Sequence, residues 1–235
     1  MGLMFYWNGI DRRALSTLLK LKDNGLLKNF YLSGGTGLAI QLGHRVSLDL
    51  DLFTEHPTAE IPTAKLLSQC GKHFGTAKVK TEINAPDQLR IEIDGVKVTF
   101  LAFPYARKYR LLPNEKDIPL ADARDIAAQK ALAIGQRNSA RDYVDLAWIL
   151  RKGVVTVDQI IEDAKEVFVL DSEEVFSPRL FLQQLAYTND LPDTEDTIKL
   201  LQKQESFAAL ASELVNAVNN ASRKLLQPAP DKTKK

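Results

Sequence analysis

The chain has 235 residues with 45% apolar content, enough to bury one large core or two small ones, and its formal charge of +1 excludes a global basic field while leaving room for a local patch. One cysteine, Cys70, excludes a disulfide framework and a cysteine-based zinc site within one chain, and His44, His56 and His73 are too scattered for metal-ligand spacing. No basic-then-apolar signal pattern opens the sequence and no apolar run is long enough to span a bilayer, so a soluble, cytoplasmic protein is expected.

Asp11 to Leu27 reads as a helix, with Leu15, Leu18, Leu19 and Lys22 at helical spacing and Asn24-Gly25 as its stop. Phe30-Tyr31-Leu32 is a short buried strand, broken by Gly34 and Gly35, and Thr36 to Leu42 has the make-up of a helix. Asp49 to Phe53 is strand-like. Ala59 to His73 follows as a helix with Ile61, Leu66, Leu67 and Cys70 on its apolar side and Gly75 at its end. Thr76 to Asn84 is strand-like, and Leu89 to Leu101 alternates as a hairpin about Asp94-Gly95, a two-residue turn that hairpins favour. That register sets Ile93 opposite Val96 and Glu92 opposite Lys97. Phe103 to Pro119 is loop-rich.

From Leu120 the pattern turns helical. Asp122 is expected to cap a helix reaching about Gln136, with Asp125 as its return partner. Ser139 is expected to cap the next, to about Lys152, with Gly153 as its end. Val157 to Phe168, Pro178 to Tyr187 and Phe207 to Leu225 supply further helices, and the Pro- and Lys-rich end reads as a disordered tail. The expected organisation is a mixed α+β module over 1–119, a helical module over 120–226 and a tail over 227–235.

Two features carry chemistry. A helix entered through Gly34, Gly35 and Thr36 presents unpaired N–H groups and a positive dipole end, which suits a phosphate. An ordinary strand-to-helix turn would also use glycine there. A dinucleotide fingerprint fails because Ile40 stands where its third glycine or alanine belongs, and no Gly-Lys-Thr/Ser exists for a P-loop. Asp49 and Asp51, two apart in a strand-like run, point to one face, where they are costly unless solvated, paired, or holding a cation such as Mg²⁺. A phosphate cradle facing a divalent-metal site is the equipment of phosphoryl or nucleotidyl transfer.

These motifs resemble the AbiEii/AbiGii toxin family of nucleotidyltransferase-like proteins, the toxins of type IV toxin–antitoxin and abortive-infection systems. The resemblance rests on Gly34, Gly35, Thr36, Leu38, His44, Arg45, Ser47, Asp49, Asp51 and Phe53. It continues in Asp125-Ile126-Ala127-Ala128-Gln129-Lys130, Arg137, and Arg141-Asp142-Tyr143-Val144-Asp145-Leu146. Leu52 stands where a first Phe is usual. The similarity covers about Leu32 to Leu150.

It implies an α+β nucleotidyltransferase-like fold, a small mixed sheet with helices followed by a helical C-terminal module. The implied reaction moves a nucleoside monophosphate from an NTP to an acceptor with Mg²⁺, or Mn²⁺ in its place, and releases pyrophosphate. The implied acceptor is RNA such as the tRNA 3′ end. The alternatives are protein AMPylation or a non-catalytic nucleotide-binding or interaction protein. A separately encoded antitoxin, acting without a tight complex, is the implied partner.

The implied catalytic residues are Asp49, Asp51, Lys130 and Asp142, with Asp49 and Asp51 holding the metal. Gly34, Gly35, Thr36, Arg45, Ser47 and Arg137 are the implied nucleotide-binding residues, and Lys130 is placed near the phosphates. Asp142 would orient that lysine or activate the acceptor hydroxyl. The residues themselves leave simpler readings open. Lys130 and Arg137 could be a solvated basic face, Ser139-x-x-Asp142 has capping-box spacing, and Arg141 and Asp145 are spaced to pair on a helix surface. Two-metal nucleotidyltransferases add a third carboxylate from a neighbouring strand. Thr99 stands at its natural place, and Glu92 reads as a cross-strand ion pair with Lys97.

Overall fold

A computed structural model describes residues 4–134 and 136–226; the expected tail over 227–235 lies outside them. The first helix, α1 (Arg12–Asp23), starts where the Asp11 carboxylate accepts hydrogen bonds from the N–H groups of Arg13 and Ala14. It stops at Asn24, ahead of Gly25 with φ +73°. Strand β1 (Phe30–Leu32) has the expected bounds. Helix α2 (Gly34–Leu42) starts two residues earlier than its composition suggested, so both glycines lie inside its first turn, behind Ser33.

Strand β2 (Leu50–Thr54) leaves Asp49 just ahead of the ladder. Helix α3 (Thr63–Phe74) starts four residues later than expected. Ile61 is buried ahead of it and its N–H bonds to the Pro86 carbonyl, which holds the segment out of the helix. Strands β3 (Val79–Ala85), β4 (Gln88–Ile93) and β5 (Val96–Leu101) complete the sheet. Asp94 (φ +50°) and Gly95 (φ +83°) make the two-residue turn between β4 and β5, and both expected pairings, Ile93 with Val96 and Glu92 with Lys97, are formed. The Glu92 carboxylate nevertheless pairs with Lys80 of β3 at 2.9 Å, not with Lys97, because Glu92 has neighbours on both sides and Lys80 is in register with it.

The strand order is β1-β2-β5-β4-β3. Among the strand pairings of this sheet in the described residues, β2–β5 alone is parallel, and the chain makes that crossover through α3, β3 and β4. Alternation sorts the sheet into two faces. Leu50, Leu52, Val98, Phe100, Leu89 and Ile91 are buried in a core shared with Leu18 and Leu21 of α1 and Leu66 and Cys70 of α3. Asp51, Thr99 and Arg90 face the other way.

That second face meets the helical segment: α4 (Ala123–Ile134), α5 (Ala140–Arg151) and α6 (Val157–Val167), a two-strand ribbon β6 (Val169–Leu170) and β7 (Glu173–Glu174), then α7 (Pro178–Ala186), α8 (Thr194–Lys199) and α9 (Phe207–Leu226). The ribbon and α8 had no counterpart in the sequence pattern. A second core runs through these helices, and α2 joins the two cores, with Ile40 in the first and Leu38 in the second.

Neither expected capping box closes, because Asp125 and Ser139 take longer-range partners. Asp122 does cap α4, accepting from the Arg124 N–H at 2.9 Å. Asp125, however, turns away to accept from the N–H groups of Lys108 and Tyr109. The Ser139 hydroxyl caps nothing. It bonds to Asp193, whose other oxygen accepts from the Ala140 N–H at 2.7 Å and so caps α5 from outside.

Candidate active site

The residues singled out in the sequence converge. Gly35, Arg45, Ser47, Asp49, Asp51, Lys130, Arg137 and Asp142 line one cleft of about 280 Å³ between the sheet face and the start of α5. Gly34 lines the adjoining cavity, shared with Asp51, Lys130 and Arg137. Thr36 lies beneath, its hydroxyl donating to the Asp49 carbonyl and sitting 2.7 Å from Ser47 Oγ, so it fixes the backbone that carries Asp49.

The glycines have a steric reason visible here. Gly34 has φ +60°, and a Cβ on it would stand 2.5 Å from Asp51 Oδ2. A Cβ on Gly35 would stand 2.0 Å from Arg45 Nη2. The N–H groups of Gly34, Gly35 and Thr36 find no acceptor among the described residues, which leaves the positive end of α2 open beside Asp51.

Two kinds of carboxylate meet at this place. Asp145 is fully buried and accepts two bonds from Arg45 (2.7 and 3.0 Å) and one from His44 Nε2 (2.7 Å), with Lys130 Nζ at 2.6 Å. Asp142, also buried, holds Lys130 Nζ at 2.8 Å and Arg137 at 2.7 and 2.9 Å. Burial pushes both carboxyls up, but the cations outweigh it: Asp145 lies well below the usual carboxylate range through Arg45 and Lys130, and Asp142 lies below it through Lys130 and Arg137. Burial likewise works against the Lys130 ammonium, and Asp142 and Asp145 overcome it, so the group is held charged. His44 goes the other way, because burial lowers it more than Asp145 raises it. It is neutral and donates its Nε2–H.

Three simpler expectations are corrected by this packing. Lys130 is not on a solvated face; it is buried. Asp142 is not the return half of a capping box. Arg141 and Asp145 do not pair: Asp145 points into the interior, and Arg141 reaches across the cleft to Asp49 Oδ2 at 3.3 Å.

Asp49 and Asp51 are the second kind. Burial, the largest influence, raises the Asp51 carboxyl, and neighbouring Asp49 adds to it against the pull of Arg137 and Lys130. Thr99 pairs in register with Asp51 on β5 and puts a hydroxyl where a third acid would be. Among the described residues no cluster of three or more His, Cys, Asp or Glu forms a metal cage. Two adjacent carboxylates beside an open phosphate-type turn fit a hard cation such as Mg²⁺, which keeps water and substrate phosphate as its other ligands.

Arg90 and Lys97 also line the cleft; the sequence offered Lys97 only as a partner for Glu92 and did not single out Arg90. The hairpin register held the signal: two residues on from Glu92–Lys97, on the same face, it sets Arg90 beside Thr99. Asp193, the external cap, left no signal near α5. Six cationic side chains and three carboxylates line the cleft, so an excess of positive charge faces its interior although the chain as a whole is nearly neutral.

The sheet topology and this site define a nucleotidyltransferase-type fold. Two solved structures share it: JHP933 from Helicobacter pylori, 18% identical with a TM-score of 0.56, covering 92% of this chain and 94% of that one, and MenT4, a nucleotidyltransferase toxin of Mycobacterium tuberculosis H37Rv, 18% identical with a TM-score of 0.54, covering 88% and 84%. The uncharacterized protein aq_aa25 of Aquifex aeolicus (strain VF5) is 37% identical over 147 residues, 60% of this chain and 66% of that protein, just under two thirds of its length. The family model described as nucleotidyl transferase AbiEii toxin, type IV toxin–antitoxin system, matches residues 16–228, and the chain belongs to that family.

Proposed function

We propose that this protein transfers a nucleoside monophosphate from an NTP to an acceptor hydroxyl, most simply on RNA such as the tRNA 3′ end, and releases pyrophosphate. The observation that carries the proposal is the meeting of Asp49, Asp51 and the open N-terminus of α2 in a cleft with excess positive charge. Asp49 and Asp51 would hold Mg²⁺, or Mn²⁺, which when bound neutralises charge on the triphosphate. The N–H groups of Gly34, Gly35 and Thr36 orient phosphate oxygens, with Ser47 beside them. Lys130 stays charged beside the phosphates because Asp142 and Asp145 grip it. Arg137, also on Asp142, keeps its outer side exposed toward the nucleotide.

Asp142 is the positioning residue for Lys130 in this account. A carboxylate held by two cations below its ordinary range is a poor base for a hydroxyl. Arg45, buried on Asp145, acts by holding that anchor in place. The units 1–119 and 120–226 supply the two walls of the site. A cognate antitoxin is the proposed partner and the cytoplasm the proposed compartment; no helix among the described residues is long and apolar enough to cross a membrane.

Thr99 in place of a third acid favours one other reading, a nucleotide-binding protein without transfer activity. Incubation with each α-labelled NTP, Mg²⁺ and either total RNA or total protein separates the cases. Label in RNA supports the proposal, label in protein reassigns the acceptor to AMPylation, and retained NTP binding with no label in either supports the non-catalytic reading.

A further inference from the structure

The sheet face beneath the site carries two adjacent cross-strand rows. In the first, Asp51 pairs with Thr99 and Thr99 with Arg90. In the second, two residues along each strand, Phe53 pairs with Leu101 and Leu101 with Gln88. The side chains of both rows share a face. The rows stand about 7 Å apart. The surface therefore changes from charged to apolar-plus-amide over roughly the span of one ribose. A cavity of about 400 Å³ covers the second row and opens onto the first, with Phe103 on its sheet side and Gln129 of α4 opposite.

Three amides line the cavity; Gln136 is solvent-exposed with no side-chain partner among the described residues, and the other two, both turned inward, differ. Gln129 is committed: its Oε1 accepts from Ser33 Oγ at 2.6 Å and its Nε2 donates to the Tyr31 hydroxyl at 3.3 Å. Gln88, half-buried, has no side-chain partner among the described residues, so its donor and acceptor are both free in the cavity. A flat apolar wall ending in a half-buried free amide on the sheet, Gln88, suits a planar heterocycle bearing adjacent donors and acceptors.

We propose that this cavity seats the nucleobase of the incoming NTP, stacked along Phe53 and read at its polar edge by Gln88. The proposal rests on the nucleotidyltransferase reading for the identity of its ligand. It adds the residue that sets which NTP is used, by discrimination at a hydrogen-bonding edge, where an unmatched polar group is costly.

The test is calorimetric titration of the full chain with ATP, GTP, CTP, UTP and tripolyphosphate, each with Mg²⁺, for wild type, Gln88→Leu, Gln88→Glu and Phe53→Leu. Wild type is expected to prefer one or two NTPs over the others by tenfold or more and to bind each of these more tightly than tripolyphosphate. Gln88→Leu should bring the four NTPs within about twofold of one another, and Gln88→Glu, which can only accept, should reorder them. Phe53→Leu should weaken all four by several-fold. Tripolyphosphate should bind all variants equally. Wild-type discrimination retained in both Gln88 variants overturns the proposal, as does a wild type that binds tripolyphosphate as well as any NTP. So does a change confined to the base accepted at the RNA end, which would place the acceptor in the cavity. Gln88-dependent NTP preference without transfer to RNA or protein would contradict the transfer activity and leave the cavity assignment standing; transfer with wild-type preference in both Gln88 variants would do the reverse.

Discussion

The anchor around Asp142 and Asp145 and the pair Asp49–Asp51 lie on opposite walls of one cleft and are built on opposite principles. In the anchor every carboxylate oxygen is matched by a cation from the protein itself, so its charges are compensated before any ligand arrives. In the pair, two like charges stand together and burial disfavours the ionised form of Asp51, while Asp49 has one ion-pair partner among the described residues, Arg141. The anchor holds shape; the pair is completed by something the chain does not supply. Stability should therefore rest mainly on the anchor and activity on the pair, with Lys130, held by the anchor but lining the cleft, contributing to both.

The largest effect is expected at Asp145. Asp145→Ala strands Arg45 and half of the Lys130 grip in the interior, and breaking such a buried pair costs about 3–5 kcal/mol. Urea denaturation should show a loss of unfolding free energy of that size, read from the midpoint shift at unchanged slope; a loss below about 1 kcal/mol would mean the anchor is not structural. Lys130→Ala comes next, and for the same reason it should lose both transfer activity and a few kcal/mol, contrary to what a surface lysine would do. A variant that is inactive but as stable as wild type would show that Asp142 and Asp145 re-pair with Arg137 and Arg45 at no cost.

Acid should reproduce the anchor's loss. Asp142 and Asp145 have folded-state values below 3.8, so their contribution is fully present above that value and is lost as pH falls through the folded values. His44, neutral when folded and able to charge near its ordinary value of 6.5 when unfolded, starts the decline earlier, as pH falls below that point. Stability measured from pH 7 to 3 should fall throughout in wild type and fall less steeply below pH 4 in Asp145→Asn; parallel curves would remove the anchor from the account of acid sensitivity.

The smallest effects concern the caps. Asp193→Ala should cost about 1 kcal/mol, since it caps α5 through the Ala140 N–H, and Ser139→Ala less. Asp142→Asn should cost more than either, about 2 kcal/mol, from its weakened bonds to Lys130 and Arg137. The opposite order would restore Asp142 to the role of a cap.

What was legible in the sequence was local. Apolar spacing placed α1 and β1, and the Asp94-Gly95 turn set the hairpin register because a two-residue turn admits little else. Strand alternation and helix geometry carry a side chain's direction, and most of the motif residues line one cleft. The choice of partner was not legible. Glu92 had two basic neighbours in register and the sequence showed only one. Asp125, Ser139 and Asp145 each took partners from segments 16 or more residues away, where tertiary packing decides. The burial of Lys130 was hidden for the same reason: its two counter-charges come from the following helix.

Transfer depends on Asp49 and Asp51 as the pair that holds the cation, while the anchor fixes Lys130 and the shape of the cleft. The most direct test of this division is label transfer from α-labelled NTP to RNA by wild type and by Asp51→Asn, with melting temperatures recorded on the same samples. Asp51→Asn is expected to lose at least about a thousandfold in transfer and to melt at or slightly above the wild-type temperature, because a half-buried carboxylate whose charge is disfavoured by desolvation and by Asp49 has been removed. Transfer at the wild-type rate by Asp51→Asn would contradict it.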